Sequence, residues 1–238
     1  MTDFVSIIPA RSGSRGIKNK NIQEIDKHPL FAYSIAASKL LGIDPFFSTD
    51  SRSYADIALK YGAKVPFLRP KKISKNDSSD YEFISHFIDY LKLSKNNAKY
   101  IIHLRPTTPF RNISVLKNAI KLFKLKNNCT SLRSAHLASE SFEKWFFKDK
   151  YSFFKPVNKE LDAEKISLPR QNFKPVFIPN GYIDIVKVNY IIKNKIAYGK
   201  KMLVFETPQV IEVDTKYDLE LARMDKSKIK YKLQSSFF

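Results

Sequence analysis

The feature that most constrains the fold of this chain is an alternation of short apolar runs with longer segments of helical periodicity. Apolar runs, each suited to a buried strand, lie at 4–8, 45–49, 64–68 and 100–104. Segments with helical periodicity follow them, at 29–42, 50–62, 78–93 and 113–125. Strands that alternate with helices of this length form βαβ units. The sequence therefore predicts an α/β fold with a mostly parallel sheet and helices on both faces.

The alternation is interrupted between about residues 139 and 174. This stretch is rich in aromatic residues, contains the only tryptophan and has little helical period. We expect a hairpin or arm that leaves the sheet and covers its rings with a partner surface. After it, 180–188 predicts a strand, and 210–223 predicts a strand, an acidic turn and a helix. With no repeat or linker, we expect a single domain over 1–238 with the arm inserted.

Composition narrows the class of protein. Hydrophobic residues make up 43%, and no apolar run approaches the roughly 20 residues of a membrane span. The single cysteine, Cys129, excludes an intrachain disulfide and favours a reducing cytoplasm. The formal charge of +19 would attract nucleic acid, but lysines are scattered along the chain. The densest basic segment, 226–232, is explained more simply as a solvated tail, so we expect neither a nucleic-acid nor a membrane partner.

The loop after the first apolar run combines glycines with basic residues. Gly13 and Gly16, with Ser14 between them, allow backbone amides to approach a ligand closely. The basic residues around them are Arg11, Arg15, Lys18 and Lys20. This composition favours a triphosphate-binding loop, although it matches neither the P-loop nor the dinucleotide fingerprint. A solvated loop in a lysine-rich protein is the alternative.

Several ordered motifs resemble those of the CMP-acylneuraminate synthetases, the cytidylyltransferases that activate sialic and related nonulosonic acids. The motifs are IIPARSGSRGIKNKNI, STDS, FLRPKKISKNDSSD, LRPTTPFR, LPRQNFKPVFIPNG and IEVDT, which cover the chain from Phe4 to about Arg223. The resemblance implies a Rossmann-like nucleotidyltransferase domain and a homodimer formed through the arm. It also implies a Mg²⁺ requirement and transfer of CMP from CTP to an acidic nine-carbon sugar, with release of pyrophosphate.

The resemblance also implies roles for individual residues. Arg11 and Lys20 match positions that hold the triphosphate, and Asp214 matches a metal-binding acid with Glu212 as its neighbour. Arg11, Lys20 and Asp214 are thus the expected catalytic residues, and Gly13, Ser14 and Gly16 the expected nucleotide-loop contacts. The expected substrate-binding residues are Arg15, Asn21, Arg69, Asp77, Arg105, Thr107, Thr108, Arg111, Arg170, Gln171, Asn180 and Gly181.

Within that set, Asn21 matches the residue that reads cytosine, and the Arg170–Gln171 pair is associated with the acidic sugar. The chain departs from the family in places. Glu212 replaces an aspartate, Ile178 stands where several members have arginine, and Arg105 stands where some sialic acid enzymes have glutamine. These departures leave the identity of the sugar open among neuraminic, legionaminic and pseudaminic acids and their relatives.

Simpler roles compete with the functional ones. Asp50 or Ser51 is expected to cap the helix that begins there, and Asp80 is expected to cap the helix after it. Asp214 or Thr215 could cap the last helix. If 210–214 is a strand, however, Glu212 and Asp214 point to one side, as a metal site requires. The four histidines show no metal spacing and are expected to be surface or core residues.

Three other functions remain open. A Kdo cytidylyltransferase would carry an acidic GDEP-like loop where this chain has RPTTP. A sugar nucleotidyltransferase that uses another base would differ in nucleotide preference. A basic nucleic-acid-binding protein would bind DNA or RNA with steep salt dependence and would not turn over CTP.

Overall fold

The computed structural model describes residues 3–225, and the basic segment 226–232 lies outside the described residues. Its strands are β1 (Phe4–Pro9), β2 (Glu24–Ile25), β3 (His28–Pro29), β4 (Pro45–Ser48), β5 (Tyr100–His103), β6 (Ser131–Leu137), β7 (Phe146–Lys148), β8 (Phe154–Pro156), β9 (Phe177–Lys187) and β10 (Met202–Glu206). Its α-helices are α1 (Leu30–Leu40), α2 (Arg52–Lys60), α3 (Asp80–Leu93), α4 (Ile113–Leu125), α5 (Ala163–Ile166), α6 (Val188–Asn194) and α7 (Lys216–Met224).

A six-stranded sheet forms the centre of the fold, in the order β10-β6-β9-β5-β1-β4. β1 pairs in parallel with β4 and β5, and β10 pairs in parallel with β6. β9 is antiparallel to both of its neighbours, β5 and β6. The prediction of a mostly parallel sheet is therefore confirmed, with β9 as the strand that runs the other way.

Helices cover both faces of this sheet, as predicted. On one face, α1, α2, α4 and α7 pack on strand residues such as Ile8, Phe47 and Ile102. On the other face, α3 and α6 pack on residues such as Ile7 and Ile101. Ile7 and Ile8 belong to opposite cores because successive strand side chains point to opposite faces. The loops that follow the carboxyl ends of the parallel strands lie together at one edge of the sheet, where α/β proteins bind their ligands.

Two of the predicted strands are wrong. Lys64 makes only a single bridge to Phe46, and the chain from Val65 to Leu68 does not pair with the sheet. Pro66, which lacks an N–H, cannot support a ladder there. Residues 210–214 are also not a strand, because this segment crosses the sheet edge, where the N–H of Val213 donates to the carbonyl of Thr107 at 2.7 Å. The side-chain alternation expected for Glu212 and Asp214 therefore does not apply.

The stretch 139–174 leaves the sheet, and it contains the β7–β8 hairpin and the short helix α5. Large rings are exposed on it, and these are Phe142, Trp145, Phe146, Phe147, Tyr151, Phe153 and Phe154. A search of the described residues finds no helix with the length and hydrophobicity of a membrane span.

Candidate active site

A cavity of about 380 Å³ lies where the loops after the parallel strands meet. Its walls come from the glycine loop after β1, the segment between α2 and α3, and the loop after β5. The lining residues are Pro9, Arg11, Ser14, Arg15, Gly16, Lys20, Asn21, Arg69, Ile73, Lys75, Asn76, Ser78, Asp80, Phe83, Arg105, Pro106, Thr107 and Asp214. Ten of the predicted site residues are thus brought together: Arg11, Ser14, Arg15, Gly16, Lys20, Asn21, Arg69, Arg105, Thr107 and Asp214.

The glycine loop is held in place by Asp50 from the neighbouring strand end. The backbone N–H of Ser12 donates to Oδ1 of Asp50 at 2.7 Å, and the Ser12 hydroxyl donates to Oδ2 at 2.7 Å. Of the two predicted caps of α2, Ser51 is confirmed and Asp50 is wrong, because the side chain of Ser51 accepts from the N–H of Tyr54. Asp50 instead fixes the first turn of the loop that carries Arg11 and Arg15.

The other end of the loop packs against the acidic segment before α7. A Cβ on Gly16 would lie 2.6 Å from the carbonyl oxygen of Asp214, so only glycine permits this approach. Lys20 Nζ donates to Oδ1 of Asp214 at 2.7 Å, which places a lysine and a carboxylate side by side on the cavity wall. Thr215, not Asp214, caps α7, in a capping box completed by Asp218. Capping therefore does not explain Asp214.

Arg69 brings unpartnered hydrogen-bond donors to the cavity. Its side chain is buried, its guanidinium lies over the ring of Phe83, and Nε and Nη2 have no hydrogen-bond partner. Burial lowers the pKa of Arg69 to about 10, so the group keeps its charge at neutral pH. Buried donors without a partner cost free energy, and a bound ligand with acceptor atoms would remove that cost.

Arg105 lines the opposite end of the cavity and is held by two carboxylates. Its Nη2 donates to Oδ2 of Asp80 at 2.5 Å and to Oδ2 of Asp184 at 3.1 Å. The hydroxyl of Tyr198 donates to the same two oxygens at 2.6 Å and 3.1 Å. The prediction that Asp80 caps α3 is wrong, because Ser79 forms the capping box with Glu82 and leaves Asp80 free to contact Arg105.

Three potential metal ligands meet at this place. Ligand atoms of Asp80, His103 and Asp184 lie within 4.8 Å of one another. Burial lowers the pKa of His103 to about 3, so its ring is neutral and could coordinate. A divalent ion would nevertheless have to displace the guanidinium of Arg105, which already contacts both carboxylates. Asp80, His103 and Asp184 are therefore better suited to binding Arg105 than to holding a divalent ion.

The acids predicted to bind Mg²⁺ are placed differently. Asp214 is exposed on the cavity wall, whereas Glu212 is half-buried near Thr108 and Gly181. Burial, with a contribution from Asp214, raises the pKa of Glu212. Mg²⁺ needs only one or two carboxylates beside phosphate oxygens. Asp214, which lines the cavity, could therefore bind such an ion, whereas Glu212 does not line the cavity and is less well placed to do so.

Some predicted binding residues lie inside the protein instead of at the cavity. Arg111 is fully buried and donates to the carbonyls of Tyr182, Arg105 and Gly181 and to Ser34 Oγ. Thr108 and Asn180 are also fully buried, and the Thr108 hydroxyl donates to the Asn180 carbonyl. Arg111, Thr108 and Asn180 are therefore not among the residues that line this cavity, and their polar groups are engaged with other parts of the protein. Their role in substrate binding stays a prediction.

Gly181 acts through its lack of a side chain. Its φ is +61°, and a Cβ there would lie 2.8 Å from Cδ of Arg105 and 2.9 Å from Oε1 of Glu212. This position therefore permits the close approach of two predicted site residues.

Other predicted residues lie away from the main cavity. Arg170 and Gln171 line a second cavity of about 300 Å³ at the base of the arm. Asp77 is exposed beside Arg15 in a shallow depression, and Gly13 is exposed with a φ of +73°. Within one chain, the predicted sugar-carboxylate residues and the nucleotide loop thus belong to separate cavities.

Asp184 and Tyr198 were not predicted from the sequence, and the capping roles predicted for Asp50 and Asp80 are wrong. A carboxylate in the middle of the apolar run 182–188 was the available signal for Asp184, since a buried charge is paired when it occurs. Tyr198 lies in a short loop without a motif, so only the tertiary fold could identify it.

The fold is that of an α/β domain, and its main cavity is lined by cations and by the glycine loop, as suits an anionic ligand. The sequence model of the cytidylyltransferase family matches residues 5–180. The chain therefore belongs to the cytidylyltransferase family and is a nucleotidyltransferase, as predicted.

Two relatives and one solved structure illustrate the likeness. The N-acylneuraminate cytidylyltransferase of Escherichia coli O18:K1:H7 is 31% identical over 230 residues, which are 93% of this chain and 51% of that protein. The CMP-N,N'-diacetyllegionaminic acid synthase of Legionella pneumophila subsp. pneumophila is 30% identical over 226 residues, 92% of this chain and 94% of that protein. The chain thus spans about half the length of the first relative and nearly all of the second.

The structure of a CMP:2-keto-3-deoxy-manno-octonic acid synthetase complexed with CTP matches with a TM-score of 0.63 at 16% identity. The match covers 92% of this chain and 96% of that chain, and it indicates a shared fold.

Proposed function

We propose that this protein transfers CMP from CTP to a nonulosonic acid and releases pyrophosphate. The observation that carries the proposal is the concentration of cations on the glycine-loop wall of the main cavity. Arg11, Arg15 and Lys20 line that wall and together can offset the negative charges of a triphosphate. Membership of the cytidylyltransferase family makes CTP the source of that triphosphate. The named relatives act on acids of the sialic type, which supports such a sugar as the acceptor.

The cytosine is proposed to lie against Asn21 and Arg69. Asn21 is buried at the cavity wall, and its amide donates to the carbonyl of Arg11. Arg69 offers two unpartnered donors, and cytosine carries a carbonyl oxygen and a ring nitrogen that can accept them. A nucleotide bound in this way would use the donors that the free protein leaves unsatisfied.

The chemical step would be attack of the sugar's anomeric hydroxyl on the α-phosphorus of CTP. Pyrophosphate leaves as the bond to the β-phosphate breaks, and no protein nucleophile is required. Such phosphoryl chemistry depends on positioning and charge stabilisation. Arg11, Arg15 and Lys20 would hold the β- and γ-phosphates, and Asp214 would hold a Mg²⁺ ion that offsets phosphate charge. CTP is a cytoplasmic metabolite, so we place the reaction in the cytoplasm.

The test is pyrophosphate release by the purified protein with Mg²⁺, across four nucleoside triphosphates and a panel of acid sugars. The panel contains neuraminic, legionaminic and pseudaminic acids in their N-acylated forms, together with Kdo. We expect turnover with CTP and at least one nine-carbon acid, and a CMP-sugar product by mass spectrometry. Preference for another base would indicate a different sugar nucleotidyltransferase, and preference for Kdo would indicate a Kdo cytidylyltransferase. Salt-dependent binding to DNA or RNA without CTP turnover would replace the proposal with a nucleic-acid-binding role.

Arg170 is expected to bind the carboxylate of the sugar. A guanidinium makes two parallel hydrogen bonds to a carboxylate, which lysine cannot reproduce. Arg170→Lys should therefore raise the KM for the sugar and leave the KM for CTP nearly unchanged in steady-state assays. Lys174→Ala is the matched control, because it removes a cation from the same small cavity. If both constants move together in Arg170→Lys, or neither moves, the assignment is wrong.

The arm is proposed to join two copies of the chain. Phe146 and Phe147 on β7 are both more than half exposed, and burial of such rings stabilises an interface. We expect a dimer by light scattering at micromolar concentration, shifted toward monomer by Phe147→Ser. Leu125→Ser is the control, since it removes an equally exposed apolar side chain at the end of α4. A wild-type protein that is a stable monomer would contradict the proposed dimer.

A further inference from the structure

A network of polar side chains lies behind Arg105, at the end of the cavity away from the glycine loop. Asp80 begins α3, Asp184 lies within β9, and Tyr198 lies between α6 and β10. All three contact Arg105 or one another through the hydrogen bonds described above. We call Asp80, Asp184 and Tyr198 the Arg105 socket. Residues from three separate elements thus converge on one side chain that also lines the cavity.

The socket orients the guanidinium of Arg105 and leaves part of it available. Nη2 takes the short contacts to Asp80 and Asp184. Nη1 lies 3.5 Å from Oδ1 of Asp80, at the limit of a hydrogen bond. A guanidinium has five N–H donors in a rigid fork, so a fixed Nη2 also fixes the direction of the remaining donors. Those donors can serve a ligand in the cavity.

The charges around Arg105 are balanced. Asp184 lies near the guanidinium of Arg133 as well as that of Arg105, at 3.7 Å and 3.1 Å. Two carboxyl groups therefore face two guanidinium groups, and the ring of His103 is neutral. Burial raises the pKa of Asp184, and the charges of Arg105 and Arg133 oppose that rise. Burial works against the ionisation of Asp80, but the charge of Arg105 and the hydrogen bonds from Arg105 and Tyr198 hold the pKa of Asp80 well below its usual range. An anion placed here would meet the charge of Asp80, which lines the cavity, whereas a neutral oxygen would not.

We infer that the Arg105 socket fixes Arg105 to donate to a neutral oxygen of the sugar, an acylamido carbonyl or a hydroxyl, with Tyr198 and Asp184 as positioning residues. The inference rests on the proposed function for the identity of the acceptor. The sugar is the partner, because the cations that suit the triphosphate lie on the glycine-loop wall. The socket is thus a specificity device at the sugar end, separate from charge recognition of the carboxylate.

Tyr198→Phe tests the inference, because it removes the hydroxyl and keeps the ring that lies beside Arg133. We expect the KM for the accepted sugar to rise roughly tenfold, as for the loss of one well-aligned hydrogen bond, with the KM for CTP nearly unchanged. The rise should be the same at low and high salt, since a contact to a neutral oxygen is not screened. Tyr190→Phe is the matched control, because Tyr190 lies nearby in α6 and its hydroxyl and ring lie beside Gly199 and not in the socket.

Three outcomes would overturn the inference. The first is an unchanged KM for the sugar in Tyr198→Phe, and the second is a parallel change in both KM values, as a general structural defect would cause. The third is a rise that shrinks with salt, which would show that Arg105 binds the carboxylate.

A second measurement does not need turnover. In ¹⁵N NMR, restricted rotation of the Arg105 guanidinium should be visible in the wild-type protein and lost in Tyr198→Phe. Free rotation in the wild type would contradict the socket. If no acid sugar is turned over by the wild type, the proposed function fails, and this spectrum still decides whether the socket holds Arg105.

Discussion

Replacement of Lys20 by alanine is expected to lower kcat by about 10²–10³-fold, or about 2.7–4 kcal/mol, the range for loss of one preorganised charge-stabilising group. Lys20 lies on the cavity wall between the glycine loop and Asp214, and only 16% of its side chain is exposed. A cation held there can stabilise charge that develops on the leaving pyrophosphate. The measurement is kcat at saturating CTP and sugar.

Lys18→Ala is the control for this experiment, because it removes an exposed cation from the same loop that does not line the cavity. The melting temperature of Lys20→Ala should change little, since its partner Asp214 is 68% exposed and ion pairs of this kind contribute about 0–1 kcal/mol. Turnover of Lys20→Ala close to that of the wild type would remove this lysine from the mechanism.

Replacement of Asp214 by asparagine should lower kcat by about 10²-fold or more, because charge stabilisation by a bound metal contributes several kcal/mol. Asp214 presents its carboxylate to the cavity beside Lys20, and Thr215 caps α7 in its place. Loss of the carboxylate should therefore reduce turnover and raise the Mg²⁺ concentration needed for half-maximal rate. Glu212→Gln should cost less, because Glu212 is not among the residues that line the cavity.

Asp218→Asn is the matched control for Asp214→Asn. Asp218 accepts from the backbone N–H of Thr215 at 2.7 Å and from that of Asp214 at 3.1 Å, so it stabilises the start of α7. Its loss should cost about 1 kcal/mol of stability with near-normal turnover. An unchanged Mg²⁺ dependence in Asp214→Asn would end its assignment as a metal ligand.

Five of the seven α-helices, α1, α2, α3, α4 and α7, were predictable because each carries its own local signals, whereas the short helices α5 and α6 were not predicted. Gly42 and Gly62, with φ of +68° and +82°, follow α1 and α2 as helix-ending glycines do. Edge segments were less predictable. The run 64–68 is apolar enough for a strand, but Pro66 and the position beside β4 allow only one bridge. The strands β6 and β10 were also not predicted, because neither of them lies in one of the six motifs.

The glycine-loop wall of the cavity was predictable because its residues are close together in sequence. Arg11, Ser14 and Lys20 lie on one loop, and all three line the cavity. At the opposite end, Arg105 was predicted, but Asp184 and Tyr198 were not, since they meet Arg105 only in the tertiary fold. Buried arginines are also ambiguous in sequence. Arg105 and Arg111 lie in one motif, yet one lines the cavity and the other bonds to carbonyls inside the protein.

The antiparallel course of β9 has a consequence for how the arm can vary. The arm leaves from β6 and returns into β9, and the pairing of Leu137 with Phe177 holds its two ends together. The conformational entropy of closing that loop grows slowly with length, by about 0.6 kcal/mol for each doubling. Insertions or replacements in the arm should therefore disturb the stability of the core very little. The proposed dimerisation surface on the arm can therefore diverge while the main cavity stays the same.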